Sequence, residues 1–430
     1  MENSVERRLN CLYRHLQKSS EANQQVLVLN SLNAINELDY GGSAPVVIGG
    51  MVLDIHAKPS TTAHPKTTTP GKVHYVTGGV ARNIAECMSK LGIKPFMISI
   101  VGDDMAGNLL MDYWKSAELD TAGIEQRQDI TTPVVCNLFD ANGELMAAVA
   151  SVEAIELFLT QEQIQRFSSN ICSAPVVMID ANLNPHSLEA SCKIAKEADI
   201  PVWFEPVSVA KSKRVASIAS YVTFTSPNED ELIAMAKALS PLDRFCPIQS
   251  LSNGGSKPSI EYIFQMLKPA IMVLLKNSVK IVVVTLGADG VFVCSKDRPD
   301  FIKNLLRNIK PSSFGKQLFE IVTLGCPSHK LYGAKNFESR TSRLYAVHFP
   351  SLPASAVRLT GAGDCLVGGT LASICAGLDV MQSIAVGIAA AKAAVEVENN
   401  VPSAYSLAKL TEDAQLIYSL AKVVCDQPMF

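Results

Sequence analysis

The sequence predicts an α/β protein with a central, mostly parallel sheet flanked by helices and a small β lid above it. Short apolar runs bounded by glycine, proline or acidic residues recur along the chain, and such runs are typical of buried strands. Segments with helical periodicity separate most of these runs, as expected where helices connect parallel strands. The chain has 430 residues, of which 48% are hydrophobic, so its composition supports a large core.

The predicted elements of the main sheet and its covering layers alternate along the chain. The predicted strands lie at 45–50, 95–102, 175–180, 201–206, 221–227 and 280–287. The predicted helices lie at 81–91, 188–198, 229–238, 363–376 and 381–397.

Three segments depart from this alternation. Residues 132–151 predict two strands joined by a turn at Asn142-Gly143, which we interpret as the lid. Residues 240–262 and 297–350 are rich in Ser, Pro and Lys with weak periodicity, so we interpret them as surface insertions. Residues 1–43 are polar and predict a leader outside a folded domain at 44–430.

Composition and charge exclude several classes of function. The net charge is −3 at pH 7, which argues against nucleic acid or an anionic membrane as a partner. The longest apolar stretch, 384–395, is interrupted by Lys392 and is too short to span a membrane. The eleven cysteines contain no C-x-x-C pair, which is typical of free thiols in a reducing compartment.

The segment RLTGAGDCLVGG at 358–369 places a carboxylate directly behind a glycine turn that opens a helix. Backbone N–H groups of Gly361, Ala362 and Gly363 at such a helix start can stabilise an anion. Asp364 lies within reach of the same point and can accept a proton there. Phosphoryl transfer needs both features, so the segment predicts an anion hole and a general base. The alternative is a capped helix with glycines that serve packing.

Four further segments accompany this one in a fixed order. They are IGGMVLDIHA at 48–57, GGVARNIAECMSKLG at 78–92, Asn228 to Glu231, and TLGADG at 285–290. Together the five segments resemble the ribokinase-like pfkB family of carbohydrate kinases. The resemblance implies a ribokinase-like α/β fold and an ATP-dependent phosphotransferase that uses Mg²⁺ and acts on an alcohol group.

The resemblance also implies roles for individual residues. Those implied to bind the sugar are Asp54, Gly78, Gly79 and Asn83. Those implied at the nucleotide are Asn228, Thr285, Gly287 and Gly290, with Glu231 orienting Mg²⁺. From their positions alone, Thr132 and Asn137 on the lid are candidates for contact with the base, which the sequence leaves open, and Glu205 at a strand end is a candidate near the metal. The alternatives are glycines that only form turns and a helix-capping box at 226–231.

Within the family, the segments at 70–92, 140–149, 180–185 and 204–211 are most similar to pseudouridine kinases. This likeness implies ATP-dependent phosphorylation of the 5′-hydroxyl of pseudouridine in modified-nucleoside catabolism. Another nucleoside or ribose as substrate, and a non-catalytic binding protein, remain as alternatives. A dinucleotide-dependent oxidoreductase is disfavoured because no strand is followed by G-x-G-x-x-G.

One position departs from the family's pattern. Many members carry Asp where this chain has Arg358, and that Asp helps to bind K⁺. A cation does not ligate a cation, so we expect that K⁺ is not needed in the usual way. Cys365, beside the predicted base, is interpreted as a packed small residue. In relatives the lid often contributes to a dimer interface, which leaves a homodimer or a monomer open here.

The leader contains Arg8-Leu9 and His15-Leu16 in the form R-L-x5-H-L. This pattern resembles the N-terminal peroxisomal targeting signal of type two, which an import receptor reads. The resemblance implies a peroxisomal protein. An ordinary amphipathic helix or tail, with cytoplasmic localisation, is the alternative.

Overall fold

A computed structural model of the chain describes residues 43–63, 66–140, 145–242, 245, 258–297, 312–332 and 342–428. The predicted leader, except for Ser43, and the predicted turn at Asn142-Gly143 lie outside the described residues.

The described residues contain fourteen strands. These are β1 Val46–Ile48, β2 Val52–Pro59, β3 Gly71–Gly78, β4 Phe96–Gly102, β5 Ile124–Arg127, β6 Val134–Phe139, β7 Leu145–Ser151, β8 Val177–Asp180, β9 Val202–Glu205, β10 Phe224–Thr225, β11 Ile281–Thr285, β12 Val291–Lys296, β13 Arg343–Phe349 and β14 Lys422–Pro428.

The same residues contain fourteen α-helices. These are α1 Val80–Lys90, α2 Met105–Ser116, α3 Glu153–Phe158, α4 Gln161–Arg166, α5 Ser168–Ser173, α6 Pro185–Glu197, α7 Val209–Ser212, α8 Glu229–Leu239, α9 Ile260–Lys276, α10 Ser313–Gly325, α11 His329–Tyr332, α12 Ala362–Cys375, α13 Val380–Val395 and α14 Leu407–Leu420. None of the described helices is long and apolar enough to cross a membrane.

Ten strands form the main sheet in the order β14-β13-β12-β11-β10-β9-β8-β1-β4-β5. The strands from β11 to β5 pair in parallel, whereas β11 to β14 pair antiparallel. The predicted mostly parallel sheet is therefore confirmed. Its parallel part consists of the apolar runs that the sequence contains, because a strand buried on both faces needs apolar residues throughout.

Helices cover both faces of this sheet, and successive strand residues alternate between two cores. Val47 packs into a core formed with α1, α12, α13 and α14. Its neighbours Val46 and Ile48 pack into a core formed with α6, α8 and α9. Alternation with a period of two is what a pleated strand imposes, so each buried strand contributes to both cores.

Helix α12 owes its position to small residues. Its residues from Cys365 to Cys375 are all buried, and it packs between α1 and α13. A Cβ at Gly369 would lie 2.9 Å from the Cβ of Ala390 and 3.0 Å from the Cα of Gly387. The close approach therefore requires glycine, and it fixes the helix start that carries Asp364.

Four strands, in the order β3-β2-β6-β7, form a separate small sheet, which is the lid. The lid is larger than the predicted pair of strands, because β2 and β3 also belong to it. The chain leaves the main sheet after Ile48 and turns at Gly49, where a Cβ would lie 2.3 Å from the Asp180 carboxyl. Asp54 consequently lies on the lid and not at the end of a main-sheet strand.

The interpretation of 297–350 as a surface insertion is wrong for part of that range. Residues 343–349 form β13, whose side chains from Leu344 to His348 are buried and which pairs with β12 and β14. Leu318 and Val322 of α10 lie in the core. The arginine and histidine in RLYAVHF interrupt its apolar pattern, which explains why the strand was missed. Likewise, 260–262 begin helix α9.

Candidate active site

The candidate site lies at the carboxyl edge of the parallel strands, beneath the lid. Asp180 is the last residue of β8, Glu205 the last of β9 and Thr285 the last of β11. The carboxyl ends of parallel strands share one edge, and ligands bind at that edge in open α/β sheets. Asp364, in the first turn of α12, interacts electrostatically with both Asp180 and Glu205.

Asp364 is the centre of this arrangement. Its Oδ2 accepts a hydrogen bond of 2.6 Å from Nδ2 of Asn83. Burial raises its pKa from 3.8 to about 7, Asn83 and Arg82 oppose that rise, and Asp180 and Asp54 add to it. A carboxylate with a pKa near the working pH suits a general base, because a large fraction of it is ionised and it is still basic enough to accept a proton.

The three residues predicted as the anion hole have two different geometries. Gly361 is the N-cap of α12 with φ +84°, and a Cβ there would lie 2.2 Å from the carbonyl oxygen of Asn400. The N–H of Ala362 donates to the carbonyl of Leu359 at 3.4 Å. A Cβ at Gly363 would meet no atom within 4 Å. Gly361 and Ala362 therefore shape the turn, and the open space in the predicted anion hole lies beside Gly363.

The predicted sugar-binding residues come together around Asp54. A Cβ at Gly78 would lie 2.3 Å from Oδ2 of Asp54, so only glycine leaves that carboxylate its place. Gly79 has φ +98° and starts α1, which carries Asn83. Burial raises the pKa of Asp54, while the hydrogen bond from Asn400 and the charges of Arg82 and Arg358 lower it.

Thr132 and Asn137 occupy different environments. Thr132 is fully buried, and its hydroxyl accepts from the N–H of Gly102 at 2.8 Å and donates to Asp104 at 2.7 Å. It thus ties the chain entering the lid to the start of α2. Asn137 lies on β6 opposite His56 of β2, on the same lid face as Asp54. Asn137 is therefore the better placed of the two to meet a ligand.

The residues predicted at the nucleotide lie at the next strand ends. Asn228 and Glu231 form a capping box, with Oδ1 of Asn228 2.9 Å from the Glu231 N–H and Oε2 of Glu231 3.0 Å from the Asn228 N–H. Asn228 also bridges to Thr285. A capping box leaves the second carboxylate oxygen of Glu231 without a role in the cap, so it does not exclude the predicted metal role.

The two glycines of TLGADG differ as Gly361 and Gly363 do: one lies against backbone atoms and the other borders open space. Gly287 has φ +55°, and a Cβ there would meet nothing within 4 Å. Gly290 has φ +90°, and a Cβ there would lie 2.1 Å from the carbonyl oxygen of Phe349. Gly287 therefore borders open space at the nucleotide side, whereas Gly290 allows β13 to approach.

Glu205 extends the acidic character of the site. Its carboxylate accepts a hydrogen bond from Ser226, whose hydroxyl also accepts from Nε1 of Trp203 at 2.8 Å. Burial raises the pKa of Glu205 well above its usual value, and the charges of Glu231 and Asp364 raise it further. Glu205, Glu231 and Asp364 therefore give this edge of the site an acidic character.

Sequence reasoning missed several polar residues of the site. Asp180 accepts the N–H of Gly50 and of Asn182, each at 2.9 Å, and a carboxylate ending the buried run PVVMID was the available signal. Asn400 and Arg82 gave no such signal. Asn400 lies in a loop after α13, and Arg82 lies among apolar helix positions. His56, beside Phe139 on the lid, is neutral because burial lowers its pKa to about 4.

Comparison with known proteins agrees with this geometry. A family model described as pfkB family carbohydrate kinase matches residues 45–307, more than half of the chain. Solved structures with the same fold include a putative sugar kinase from Clostridium perfringens (TM-score 0.62, 18% identity, 90% of this chain and 99% of that one). They also include Arabidopsis thaliana ribokinase complexed with ribose and ATP (TM-score 0.59, 16% identity, 87% and 99%).

Curated relatives add sequence similarity. The chain is 53% identical over 380 residues to a pseudouridine kinase of Arabidopsis thaliana, which covers 88% of this chain and 98% of that protein. It is 26% identical over 202 residues to a pseudouridine kinase of Escherichia coli strain K12, covering 46% of this chain and 61% of that protein. With the fold, the site and these similarities taken together, the chain belongs to the pfkB family of carbohydrate kinases.

Proposed function

We propose that the protein transfers the γ-phosphoryl group of ATP to the 5′-hydroxyl of pseudouridine, giving pseudouridine 5′-phosphate and ADP. The observation that carries the proposal is Asp364, with a pKa raised to about 7, one residue after the open space over Gly363. The 53% identity to the Arabidopsis pseudouridine kinase, over nearly its full length, supports the choice of substrate.

In this proposal the ribose lies between the lid and α1. Asp54 accepts hydrogen bonds from two neighbouring ribose hydroxyls, and Asn83 offers its amide to the same sugar. The 5′-hydroxyl then faces Asp364. Asp364 takes the hydroxyl proton as that oxygen bonds to the γ-phosphorus, and the bond from the γ-phosphorus to the β–γ bridging oxygen breaks to release ADP. The Gly363 N–H stabilises charge on the transferring group.

ATP in this proposal extends from the anion turn towards Gly287, where open space borders the end of β11. Mg²⁺ fits the acidic edge formed by Glu231 and Glu205, because Mg²⁺ is usually held by one or two carboxylates, waters and substrate phosphates. When bound, it neutralises developing charge on the phosphates. The described residues contain no group of three or more His, Cys, Asp or Glu side chains that could hold a metal ion by themselves.

The lid provides the means to exclude water. It carries Asp54, whose carboxylate interacts with the charge of Arg82 on α1, so a sugar held by Asp54 would lie between the lid and α1. A closed lid keeps water from attacking ATP in place of the nucleoside. Asn137, in the same cross-strand row as His56, is our candidate for contact with the base.

The test is ADP release by the purified protein with Mg-ATP and each of pseudouridine, uridine, adenosine, cytidine and ribose. We expect turnover with pseudouridine, and a loss of about 10²- to 10⁴-fold in Asp364→Asn, the usual contribution of a general base. Turnover with another member of the panel would keep the kinase and replace the substrate. Binding without turnover of any nucleoside would instead favour a non-catalytic protein.

The leader supports a proposal about localisation. Arg8-Leu9 and His15-Leu16 would be read by a peroxisomal import receptor. A fluorescent protein fused behind residues 1–43 should enter peroxisomes, and the same fusion with Arg8→Ala and His15→Ala should remain in the cytosol. Cytosolic fluorescence of both fusions would refute the targeting role.

A further inference from the structure

A buried arginine lies beneath the contact between Asn83 and Asp364. Arg82, on α1, is 1% exposed, and its guanidinium faces protein atoms in several directions. Its Nε donates to the carbonyl of Gly78 and its Nη2 to the carbonyl of Thr77, each at 2.9 Å. Nη1 donates to Glu86, and Nη2 also donates to Oδ1 of Asn83. A guanidinium is planar and forked, so these contacts fix it in one orientation.

The contact with Oδ1 determines what Asn83 can do. A side-chain amide has one acceptor end and one donor end, and rotating it by 180° exchanges them. Arg82 has only donors, so it holds the oxygen end of Asn83 towards itself. The NH₂ end consequently points at Asp364, where Nδ2 lies 2.6 Å from Oδ2. A rotated amide would place oxygen against the carboxylate, and the two acceptors would repel each other.

The same guanidinium also holds the sugar side of the site. Thr77 and Gly78 end β3, immediately before the turn that leads into α1. Their carbonyls are both anchored by Arg82, and the Thr77 carbonyl also accepts from Nδ2 of Asn400 at 3.2 Å. Asn400 in turn binds Asp54. One buried cation thus connects the predicted base, the amide beside it and the carboxylate on the lid.

Two further residues hold Arg82 in place from the other side. Glu86, one helical turn along α1, is itself buried and pairs with the guanidinium. The hydroxyl of Tyr113, on α2, donates to the second oxygen of Glu86. A buried cation needs such a partner, because an uncompensated charge in a protein interior is strongly destabilising.

We propose that Arg82 is a positioning residue for phosphoryl transfer: it orients the Asn83 amide towards Asp364 and supplies the positive charge that keeps this carboxylate ready to accept a proton. The negative charge of Glu86 partly offsets the positive charge of Arg82. The inference rests on the proposed kinase function and deepens it.

The charged groups around Asp364 determine the direction in which each substitution should shift its pKa. Asp54 on the lid, Asp180 at the end of β8 and Glu205 at the end of β9 are acidic groups that interact with it, and Arg82 on α1 is the cation that opposes them. Removing Arg82 should therefore raise the pKa of Asp364. Neutralising Glu86 removes the negative charge that offsets Arg82, so the pKa of Asp364 should fall.

The experiment measures kcat and KM of the full chain with pseudouridine and ATP between pH 5.5 and 9 for Arg82→Met, Arg82→Lys and Glu86→Gln. For Arg82→Met we expect kcat to fall about 10- to 100-fold and the acidic limb of the kcat profile to move up by about one pH unit. Arg82→Lys keeps the positive charge but loses the forked guanidinium. Its kcat should therefore fall, while the acidic limb of its kcat profile should move less than that of Arg82→Met. Glu86→Gln keeps the shape and an acceptor for Arg82, so its limb should move down.

The opposite shifts of the acidic limb expected for Arg82→Met and Glu86→Gln distinguish a positioning role of Arg82 from a merely structural role. The control Asp413→Asn breaks the partly buried pair with Lys392, at 2.8 Å, between α13 and α14. It should lower the melting temperature and leave the limb in place. Acidic limbs that stay in place in both Glu86→Gln and Arg82→Met, or that move in the same direction in these two variants, would overturn the proposal. If Arg82→Met does not fold, Glu86→Gln alone decides by the direction of its shift.

Wild-type protein without activity on pseudouridine would count against the proposed substrate, and the same profiles would then be measured with whichever nucleoside is turned over.

Discussion

Nδ2 of Asn400 lies 3.1 Å from Oδ2 of Asp54, and the backbone carbonyl of the same asparagine lies against Gly361. Asn400 thus contacts the predicted sugar carboxylate with its side chain and the predicted anion turn with its main chain. Asn400 thereby connects the lid strand β2 with the start of α12. The Asn400 carbonyl leaves no room for a Cβ at Gly361, whereas a Cβ at Gly363 would meet no atom within 4 Å.

This asymmetry predicts different outcomes for two glycine substitutions. Gly361→Ala places a Cβ 2.2 Å from the Asn400 carbonyl oxygen at φ +84°, so we expect it to destabilise the protein by about 1–3 kcal/mol. Gly363→Ala meets no atom within 4 Å, so the fold should be retained. Its methyl group, however, would occupy the space over the turn, and kcat should fall by about 100-fold or more.

Thermal melting and steady-state kinetics on the two variants check this pair. The expected pattern is a lower melting temperature for Gly361→Ala and an unchanged or slightly higher one for Gly363→Ala, since alanine favours a helix over glycine. Full activity of Gly363→Ala would show that the phosphoryl group passes elsewhere.

The raised pKa of Asp364 predicts that the ionised form of this carboxylate destabilises the folded protein. Its pKa is about 7 in the folded protein and 3.8 normally, so the folded state binds this proton more tightly than the unfolded state. Stability is then lost as the pH rises from about 4 to about 7. Asparagine never ionises, so the stability advantage of Asp364→Asn over the wild type should grow across this range and level off above it.

Urea unfolding at pH 5, 6, 7 and 8, without ligands, measures this advantage. Asp129→Asn serves as a control, because the hydrogen bond from Arg127 lowers the pKa of that exposed carboxylate below 3.8, so it stays ionised from pH 5 to 8. The stability difference between Asp129→Asn and the wild type should therefore stay constant over this range. An Asp364→Asn advantage that stays constant with pH would mean that Asp364 is not strained in the resting protein.

The sequence was sufficient for those parts of the fold and site that depend on local chemistry. Continuous apolar runs revealed the parallel strands, and RLTGAGD revealed a helix start with a carboxylate in its first turn. The antiparallel strand β13 was missed because Arg343 and His348 interrupt its pattern, although pairing with β12 and β14 buries most of it. Its place depends on contacts distant in sequence, which periodicity does not report.

The same limit applies to the site. Asn83 and Asp364 are separated by 281 positions and Asn400 and Asp54 by 346, so their contacts exist only in the folded chain. Arg82 illustrates the difficulty best. Next to Asn83 in the sequence it looks like one more exposed helix charge, yet folding buries it beneath the predicted base. Sequence motifs therefore predicted Asp364 as the reacting residue, whereas the contacts that surround it are visible only in the folded chain.

Arg358 predicts an unusual response to monovalent cations. Burial lowers the pKa of its guanidinium, while the charges of Glu398 and Asp54 stabilise the charged form. Its Nη1 is buried and has no hydrogen-bond partner among the described residues. A permanent positive charge at this position should replace a bound K⁺, so activity should change little when K⁺ is exchanged for tetramethylammonium.

The assay compares ADP release at equal ionic strength in potassium and tetramethylammonium salts. Arg358→Met, which removes the charge and keeps much of the side-chain volume, should reduce kcat/KM in both salts. A wild-type enzyme that requires K⁺ for turnover would refute the substitution of the ion by the guanidinium.

The outer face of the lid predicts a homodimer. Ile55, Tyr75, Cys136 and Val149 lie opposite one another across the four lid strands, on the face away from Asp54. Tyr75 is 58% exposed and Val149 73% exposed, and Val73 and Leu138 continue the same apolar face. A continuous apolar patch of this kind is unusual on a monomer. A second copy of the lid offers a surface of matching character, so we expect two lids to pack face to face.

Light scattering behind size-exclusion chromatography at micromolar concentration tests the dimer. The double variant Tyr75→Glu and Val149→Glu should elute as a monomer, because burying two carboxylates against an apolar face is unfavourable. Leu416→Glu, at a 48% exposed position of α14, introduces a similar charge away from the lid and should leave the dimer intact. A wild-type protein that remains monomeric over the whole concentration range would refute the homodimer. A double variant that stays dimeric would place the interface elsewhere on the fold.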